Sequence, residues 1–240
     1  DKFPLLIKIL DASDNLSVQV HPEDDYAREN ENGELGKTEC WYVLDAKEGA
    51  KLVYGHTAKT KEEFNDKINR EQWQELFIEE EVKAGDFFYI PAGTLHAIGE
   101  GILIYEVQQN SDTTYRVYDY DRIDKDGNKR ELHIEKTKDV TKVPFEKVTT
   151  SPKTEKLEGA TVTYLADERY FSVFKVEVEG QVSLEKTRTG NLFTVLNGSG
   201  SVEIDGNIYD VKKGDSFILT TDCSKYTLKG NMFLVGSYDR

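Results

Sequence analysis

Two stretches of this chain align on each other without a gap. Gly85-Asp86-Phe87-Phe88-Tyr89-Ile90-Pro91-Ala92-Gly93-Thr94-Leu95-His96 lies on Gly214-Asp215-Ser216-Phe217-Ile218-Leu219-Thr220-Thr221-Asp222-Cys223-Ser224-Lys225, with Gly-Asp-x-Phe in common. Upstream, Glu39-Cys40-Trp41-Tyr42-Val43-Leu44 lies on Asn191-Leu192-Phe193-Thr194-Val195-Leu196, in the same order relative to the later block. Two copies of one β unit with different fates is the economical reading. Around them, short segments rich in Val, Ile, Tyr and Phe recur between turn signals such as Asp126-Gly127-Asn128, Asn197-Gly198 and Asp205-Gly206-Asn207, the pattern of an all-β sandwich or barrel. One stretch, near 59–80, departs from it. There Phe64, Ile68 and Trp73, then Leu76 and Phe77, fall near helical spacing among Glu, Lys and Gln, which predicts one or two inserted helices. Residues 134–156 are rich in Thr, Lys and Pro with little periodicity and read as a connection, leaving a first unit at 1–133 and a second at 157–240.

Composition excludes several classes of partner. No run approaches the ~18 consecutive apolar residues of a membrane span, and residues 1–20 lack the basic start and apolar run of a signal peptide, so a soluble protein is expected. A formal charge of −14 disfavours nucleic acid and anionic membrane alike, because both require a positive field. An anionic ligand would need a few placed cations to overcome that background. Cys40 and Cys223 lie far apart and fit no CxxC pattern, so neither a disulfide framework nor a thiolate zinc cluster is implied, and a cytoplasmic setting fits best. The strand-like run Phe3 to Leu10 follows Asp1 at once, so the numbered chain is expected to begin inside a longer natural protein.

The polar residues of one strand point to chemistry. Alternation in Leu16-Ser17-Val18-Gln19-Val20-His21 sends Leu16, Val18 and Val20 to one face and Ser17, Gln19 and His21 to the other. A buried polar face needs partners, and a cation bound by the Gln19 carbonyl oxygen and a His21 nitrogen would supply them. The plainer role for Gln19 is a hydrogen bond to His21. Glu39 precedes the apolar run Cys40 to Leu44, where an unpaired carboxylate would be costly. His96 closes the spacing Gly85-x5-Pro91-x-Gly93-x2-His96, in which Pro and Gly shape the turn that presents it. Two His, one Glu and one Gln leave room for water or substrate, as a catalytic zinc site does. His56 and His133 have no such support and read as hydrogen-bonded structural residues. A tempting calcium loop around Asp124-Lys125-Asp126-Gly127 fails, since Arg122 stands at its first ligand position and His133 at its twelfth, so a hairpin turn is expected instead.

The Gly85 to His96 block resembles the second cupin motif. Together with Ser17-x-Gln19-x-His21-Pro22, Lys37-Thr38-Glu39 and Gln109-Asn110-Ser111-Asp112-Thr113-Thr114-Tyr115-Arg116, in this order, it resembles the type I mannose-6-phosphate isomerases. The likeness runs from about Phe3 to Asp139 and more loosely to the end. Two positions depart from it: no Asn follows His96, and Ile98 stands where longer members carry Tyr. The family's N-terminal segment is also missing. The resemblance implies a mainly β, double-cupin fold of two jelly-roll units, with the helical insertion in the first. It implies one zinc ion held by Gln19, His21, Glu39 and His96, mannose 6-phosphate and fructose 6-phosphate as substrates, and a monomer or weak homodimer.

Isomerisation through an enediol needs a base, a stabiliser for the enediolate oxygen and a hold on the phosphate. By resemblance Arg116 is the catalytic arginine, contacting enediolate or phosphate. Lys37, two residues before Glu39 and so on its strand face, is implied in proton transfer or phosphate binding, and Ser17 as a phosphate donor. Glu106 and Asp112 are candidate acids or bases. In the second unit Lys225, Asn191 and Thr187 fall where the first has ligands, so no metal is expected there. An iron dioxygenase built on His21, Glu39 and His96 and a sugar-phosphate sensor without turnover are the competing readings.

Overall fold

The computed structural model describes residues 3–186 and 190–240, so Thr187 lies outside the described residues. Contacts divide the chain into two units, Asp1–Thr149 and Thr150–Arg240. The first contains β1 (Leu5–Asp11), β2 (Val18–Val20), α1 (Asp24–Asn30), β3 (Glu39–Ala46), β4 (Lys51–His56), α2 (Lys61–Asn69), α3 (Trp73–Leu76), β5 (Phe77–Glu81), β6 (Phe87–Ile90), β7 (His96–Ala97), β8 (Ile102–Gln109), β9 (Tyr115–Tyr118) and α4 (Ile134–Val140). Its strands form one sheet in the order β1-β8-β3-β6 and another in the order β5-β4-β7-β2-β9.

Strand alternation decides what each face meets. Trp41 and Val43 of β3, Ile102 and Ile104 of β8, and Leu52 and Tyr54 of β4 share one apolar core with Ile90 and Ile98. The opposite face of the second sheet, carrying Val18, Val20, Val53, Leu95, Ala97 and Val117, packs on Phe64, Ile68 and Leu76 from the inserted helices. The expected split therefore holds over residues 18–21, with Val18 and Val20 under the helices and Gln19 and His21 on the other face, whereas Leu16, before the strand begins, is exposed. Helix α2 starts where Thr60 accepts from the Glu63 N–H at 3.2 Å, and it buries the i, i+4 pair Phe64 and Ile68. The insertion is shorter than 59–80 suggests, because Phe77 already belongs to β5, which pairs with β4. Residues 134–156 differ more. They contain α4, whose Ile134 and Val140 pack on the apolar layer under the helices. Lys, Thr and Asp at its other positions obscure this short apolar face in the sequence.

The second unit contains β10 (Lys153–Leu157), β11 (Ala160–Asp167), β12 (Phe171–Glu185), β13 (Asn191–Ile204), β14 (Asn207–Lys212), β15 (Ser216–Leu219) and β16 (Lys225–Asp239). They pair in the order β10-β11-β12-β16-β13-β14, with β15 on β13. Its core gathers Phe174, Val176, Phe193, Val195, Leu228 and Leu234.

The internal alignment reappears in the hydrogen bonding. Glu39 pairs with Ile90 and Trp41 with Phe88; Asn191 pairs with Leu219 and Phe193 with Phe217, the same register in the aligned positions. Gly85 and Gly214 both take positive φ, +94° and +95°, which only glycine adopts without strain. Each N–H donates to the aligned strand, Gly85 to the Val43 carbonyl at 2.8 Å and Gly214 to the Val195 carbonyl at 2.9 Å. Asp86 and Asp215 then close the turn alike, each accepting at 2.9 Å from the N–H three residues before, Lys83 and Lys212. The fates of the turns differ. His96 is fully buried, whereas Lys225 at the aligned position is exposed.

Phe193 is fully buried and meets Phe174, Phe217 and Tyr226 at ring separations of 5.6, 5.2 and 5.7 Å. Phe193→Ala is expected to lower the unfolding free energy of the second unit by about 3–5 kcal/mol, read from guanidinium denaturation.

Candidate metal centre and its surroundings

The site is built on strands from both sheets of the first unit. Gln19 pairs across β2 with His96 of β7 on one side and Arg116 of β9 on the other, which sets these side chains in a row. Glu39 enters from β3, beside Gln108 of β8.

Both imidazoles are fixed by main-chain carbonyls. His21 Nδ1 lies 2.9 Å from the Thr113 oxygen and His96 Nδ1 2.9 Å from the Thr94 oxygen. A carbonyl only accepts, so Nδ1 carries the proton in each ring and Nε2 keeps its lone pair. Both lone pairs face one carboxylate, with His21 Nε2 3.4 Å from Glu39 Oε2 and His96 Nε2 3.2 Å from Glu39 Oε1. All three side chains are buried, and His21 Nε2 and both Glu39 oxygens have no hydrogen-bond partner. Lone pairs pointing at one another without a proton between them repel, and a cation among them reverses the sign. Donor atoms of His21, Glu39 and His96 all fall within 4.8 Å of one another, so the three can hold a metal ion. Gln19 completes the group differently from the simple expectation. Its amide Nε2 lies 3.3 Å from His96 Nε2, not on His21, and a half-turn of the amide would present its oxygen there.

Electrostatics follow from the burial. Desolvation, helped by the Lys37 ammonium, brings His21 down to about 3, which keeps the ring neutral and able to ligate. Burial pushes Glu39 up, but the Lys37 ammonium, foremost of the groups that oppose it, holds the carboxyl well below the usual range. Lys37 Nζ lies 3.3 Å from Glu39 Oε2 and is itself buried, so the strand-face argument for Lys37 is met.

Glu106 also falls in this interior, on β8. Trp41 Nε1 donates to its Oε2 at 3.0 Å, and the Trp41 ring packs edge-on against His96 at 5.4 Å. Burial raises the Glu106 carboxyl above its ordinary range, the Glu39 charge adds to that, and Lys37 and Lys8 restrain it. Lys8 is the residue sequence reasoning missed. It pairs in register with Glu106, places its ammonium 3.1 Å from Glu106 Oε1 and donates to Gln108. Its signal was a single lysine inside the apolar run Leu5 to Leu10. Arg116 stands at the row's other end, donating from Nε to Ser17 Oγ at 3.2 Å and from Nη1 to the Glu131 carbonyl at 3.0 Å. Asp112 is not brought to the cluster. It is exposed and lines a polar cavity of about 370 Å³ with Asn110, Thr114, His133 and Lys136. His133 is structural in an unforeseen way, its Nδ1 accepting from the Arg116 backbone N–H. His56 Nε2 donates to the Lys142 carbonyl at 2.9 Å, away from the centre. The Asp124 turn is a hairpin with Ile123 bridged to Lys129.

Comparison with known proteins bears on the same residues. The mannose-6-phosphate isomerase of Bacillus subtilis is 49% identical over 230 residues, covering 96% of this chain and 73% of that protein. The chain belongs to the mannose-6-phosphate isomerase family. A mannose-6-phosphate isomerase of Streptococcus mutans is 48% identical across 98% of this chain and 74% of its own length. Family descriptions match in two places, "Phosphomannose isomerase type I, catalytic domain" at residues 1–44 and "Mannose-6-phosphate isomerase, cupin domain" at 160–239. Among solved structures, a mannose 6-phosphate isomerase of Bacillus subtilis superposes with a TM-score of 0.96 at 44% identity, over 99% of this chain and 76% of that one. A phosphomannose isomerase variant of Salmonella typhimurium shares the fold at 16% identity, with a TM-score of 0.76 over 100% of this chain and 80% of that one. The fold is thus mainly β and of the cupin type found in this isomerase family.

Elemental analysis of the purified chain is expected to find one divalent ion, and the His21→Ala, His96→Ala double variant none, with circular dichroism unchanged. Full occupancy in the double variant would remove this cluster as the metal centre.

Proposed function

We propose that the chain interconverts mannose 6-phosphate and fructose 6-phosphate by metal-assisted proton transfer through an enediol. The observation that carries this is the buried convergence of unprotonated His21 and His96 nitrogens on Glu39, with Lys37 and Glu106 in the same interior, in a chain of the isomerase family. Gln19, His21, Glu39 and His96 would hold the ion. Imidazole nitrogen with carboxylate and amide oxygen suits zinc, which would take a sugar oxygen beside these donors by expanding to five-coordinate. When bound, zinc supplies polarisation of the sugar's carbonyl and hydroxyl oxygens.

The remaining roles fall to the chain's own side chains. Glu106, raised above the usual carboxylate range yet held by Trp41 and Lys8, is placed to take and return the proton between carbons 1 and 2. Lys37 balances the Glu39 charge and can donate to a substrate oxygen. Arg116 and Ser17, already bonded to each other, face the anionic end of the substrate or its enediolate. Asp112, on a cavity that none of the cluster residues lines, takes no step in this reading. We further infer that the second unit is a cupin that keeps the barrel and lacks the ligands, since exposed Lys225 and uncharged Asn191 replace His96 and Glu39. The free thiols of Cys40 and Cys223 agree with a cytoplasmic setting.

A coupled assay of mannose 6-phosphate conversion, with and without a chelator, tests the reading: activity should vanish on chelation and return with zinc. Glu106→Gln should lower kcat by about 10²–10⁴-fold. Arg116→Ala should lower kcat/KM by at least ~100-fold with metal content intact, whereas near-normal kcat and KM would take Arg116 out of the mechanism. Oxygen consumption without isomerisation would instead favour an iron dioxygenase.

A further inference from the structure

Arg122 and Arg130 stand on the loop after β9, residues 119–133, where four Lys and Arg face five Asp and Glu. The Ile123–Lys129 bridge closes a hairpin, and Arg122 and Arg130 are the next residues on its two arms. Both guanidiniums meet buried Asp119, yet they are engaged very differently. Arg122 is fully occupied, with Nη1 donating to the Asn15 carbonyl at 2.6 Å, Nε to the Asp119 carbonyl at 3.2 Å, and Nη2 to Asp119 Oδ1. Arg130 reaches Asp119 Oδ1 at 3.6 Å, with its side chain half exposed and no other polar partner among the described residues.

The arm that carries Arg130 runs straight to Arg116. Its next residue, Glu131, gives its carbonyl to Arg116 Nη1, and His133 bonds the Arg116 backbone on both sides, from its own N–H at 2.7 Å and to its Nδ1 at 3.2 Å. Arg116 and Arg130 are therefore brought into one neighbourhood by hydrogen bonds rather than by chance. Burial first, then the charge of Arg130, depresses the Arg116 guanidinium, as expected of like charges with too little anion between them. Asp119 and Glu131 are the carboxylates that act on Arg116, and Asp119 is already engaged by Arg122. Arg116, bonded to the Ser17 hydroxyl, and Arg130, on the arm whose Glu131 carbonyl takes the Arg116 Nη1 bond, offer two planar cations to a doubly charged oxyanion, which accepts in the fork geometry of guanidinium.

We propose that Arg130 is a specificity residue for the substrate's phosphate, seating it together with Arg116 and Ser17, while Asp119 and Arg122 position the arm that carries it. This rests on the isomerase reading above and adds to it which end of the substrate lies where. His96, Gln19 and Arg116 stand on three consecutive strands, so the metal cluster and the proposed seat are about 10 Å apart, two strand spacings. That matches the reach of an extended hexose 6-phosphate from its first carbon to its phosphorus.

The test compares wild type, Arg130→Ala, Arg130→Lys and Lys129→Ala, the last removing an equal charge from a neighbour paired with Asp121. Arg130→Ala should raise KM for mannose 6-phosphate about ten- to a hundred-fold with kcat little changed, and weaken binding of inorganic phosphate, measured by calorimetry, by a similar factor. Arg130→Lys should fall between, and Lys129→Ala should match wild type. Equal KM and equal phosphate binding in Arg130→Ala and Lys129→Ala would overturn the proposal. Should wild type not isomerise at all, the functional reading fails by itself. The phosphate titration then still decides: weaker binding in Arg130→Ala supports the seat, and equal binding removes it.

Discussion

The structure of the first unit is organised around one unsettled charge. Glu39 is fully buried, its two oxygens each face an imidazole lone pair, and neither has a hydrogen-bond partner. An ionised carboxylate taken from water costs several kcal/mol unless it is paired. Lys37 offsets part of that and at the same time holds the carboxyl ionised. A cation between Glu39 and the two rings would offset the rest, and the carbonyls of Thr94 and Thr113 keep both rings ready for one.

The same strands supply stability and chemistry from one interior. Along β3 and β8 the inward positions change from Val43, Ile102 and Ile104 to Glu39, Glu106 and Gln108, with the one register shift of the pair lying between Val43 and Asp45, at the apolar end. An apolar floor adjoining a polar end lowers the local dielectric, which raises Glu106 and lowers His21. The second unit shows the alternative outcome of the same strand register. Its aligned turn keeps Gly214 and Asp215, but Phe193 and Phe217 stack at 5.2 Å in its interior, and Lys225 points to solvent.

Much of this was legible in the chain itself. Period-2 alternation around Gln19 separated the polar site face from the core, because a strand sends neighbours to opposite faces whatever lies across from it. The Gly-x5-Pro-x-Gly-x2-His spacing located His96, because positive φ at Gly85 and Gly93 is a local demand on the residue type. Short-range polar content misled at α4, whose apolar contacts come from residues far away in sequence. Lys8 escaped notice because a lysine within an apolar strand has no meaning until its cross-strand partner is known, and Glu106 lies 98 positions later.

The sequence by itself determined the strand-rich fold, the repeated turn, the histidines and carboxylate of the candidate metal centre and the family, since each depends on residue type and spacing along one segment. Only the tertiary structure decided which nitrogen of each histidine is free, that Gln19 leans on His96, that Asp112 stays outside the cluster, and that Lys8 holds Glu106. These are properties of register between strands distant in the chain. A one-residue slip would turn every such side chain to the other face, so no segment can specify them alone.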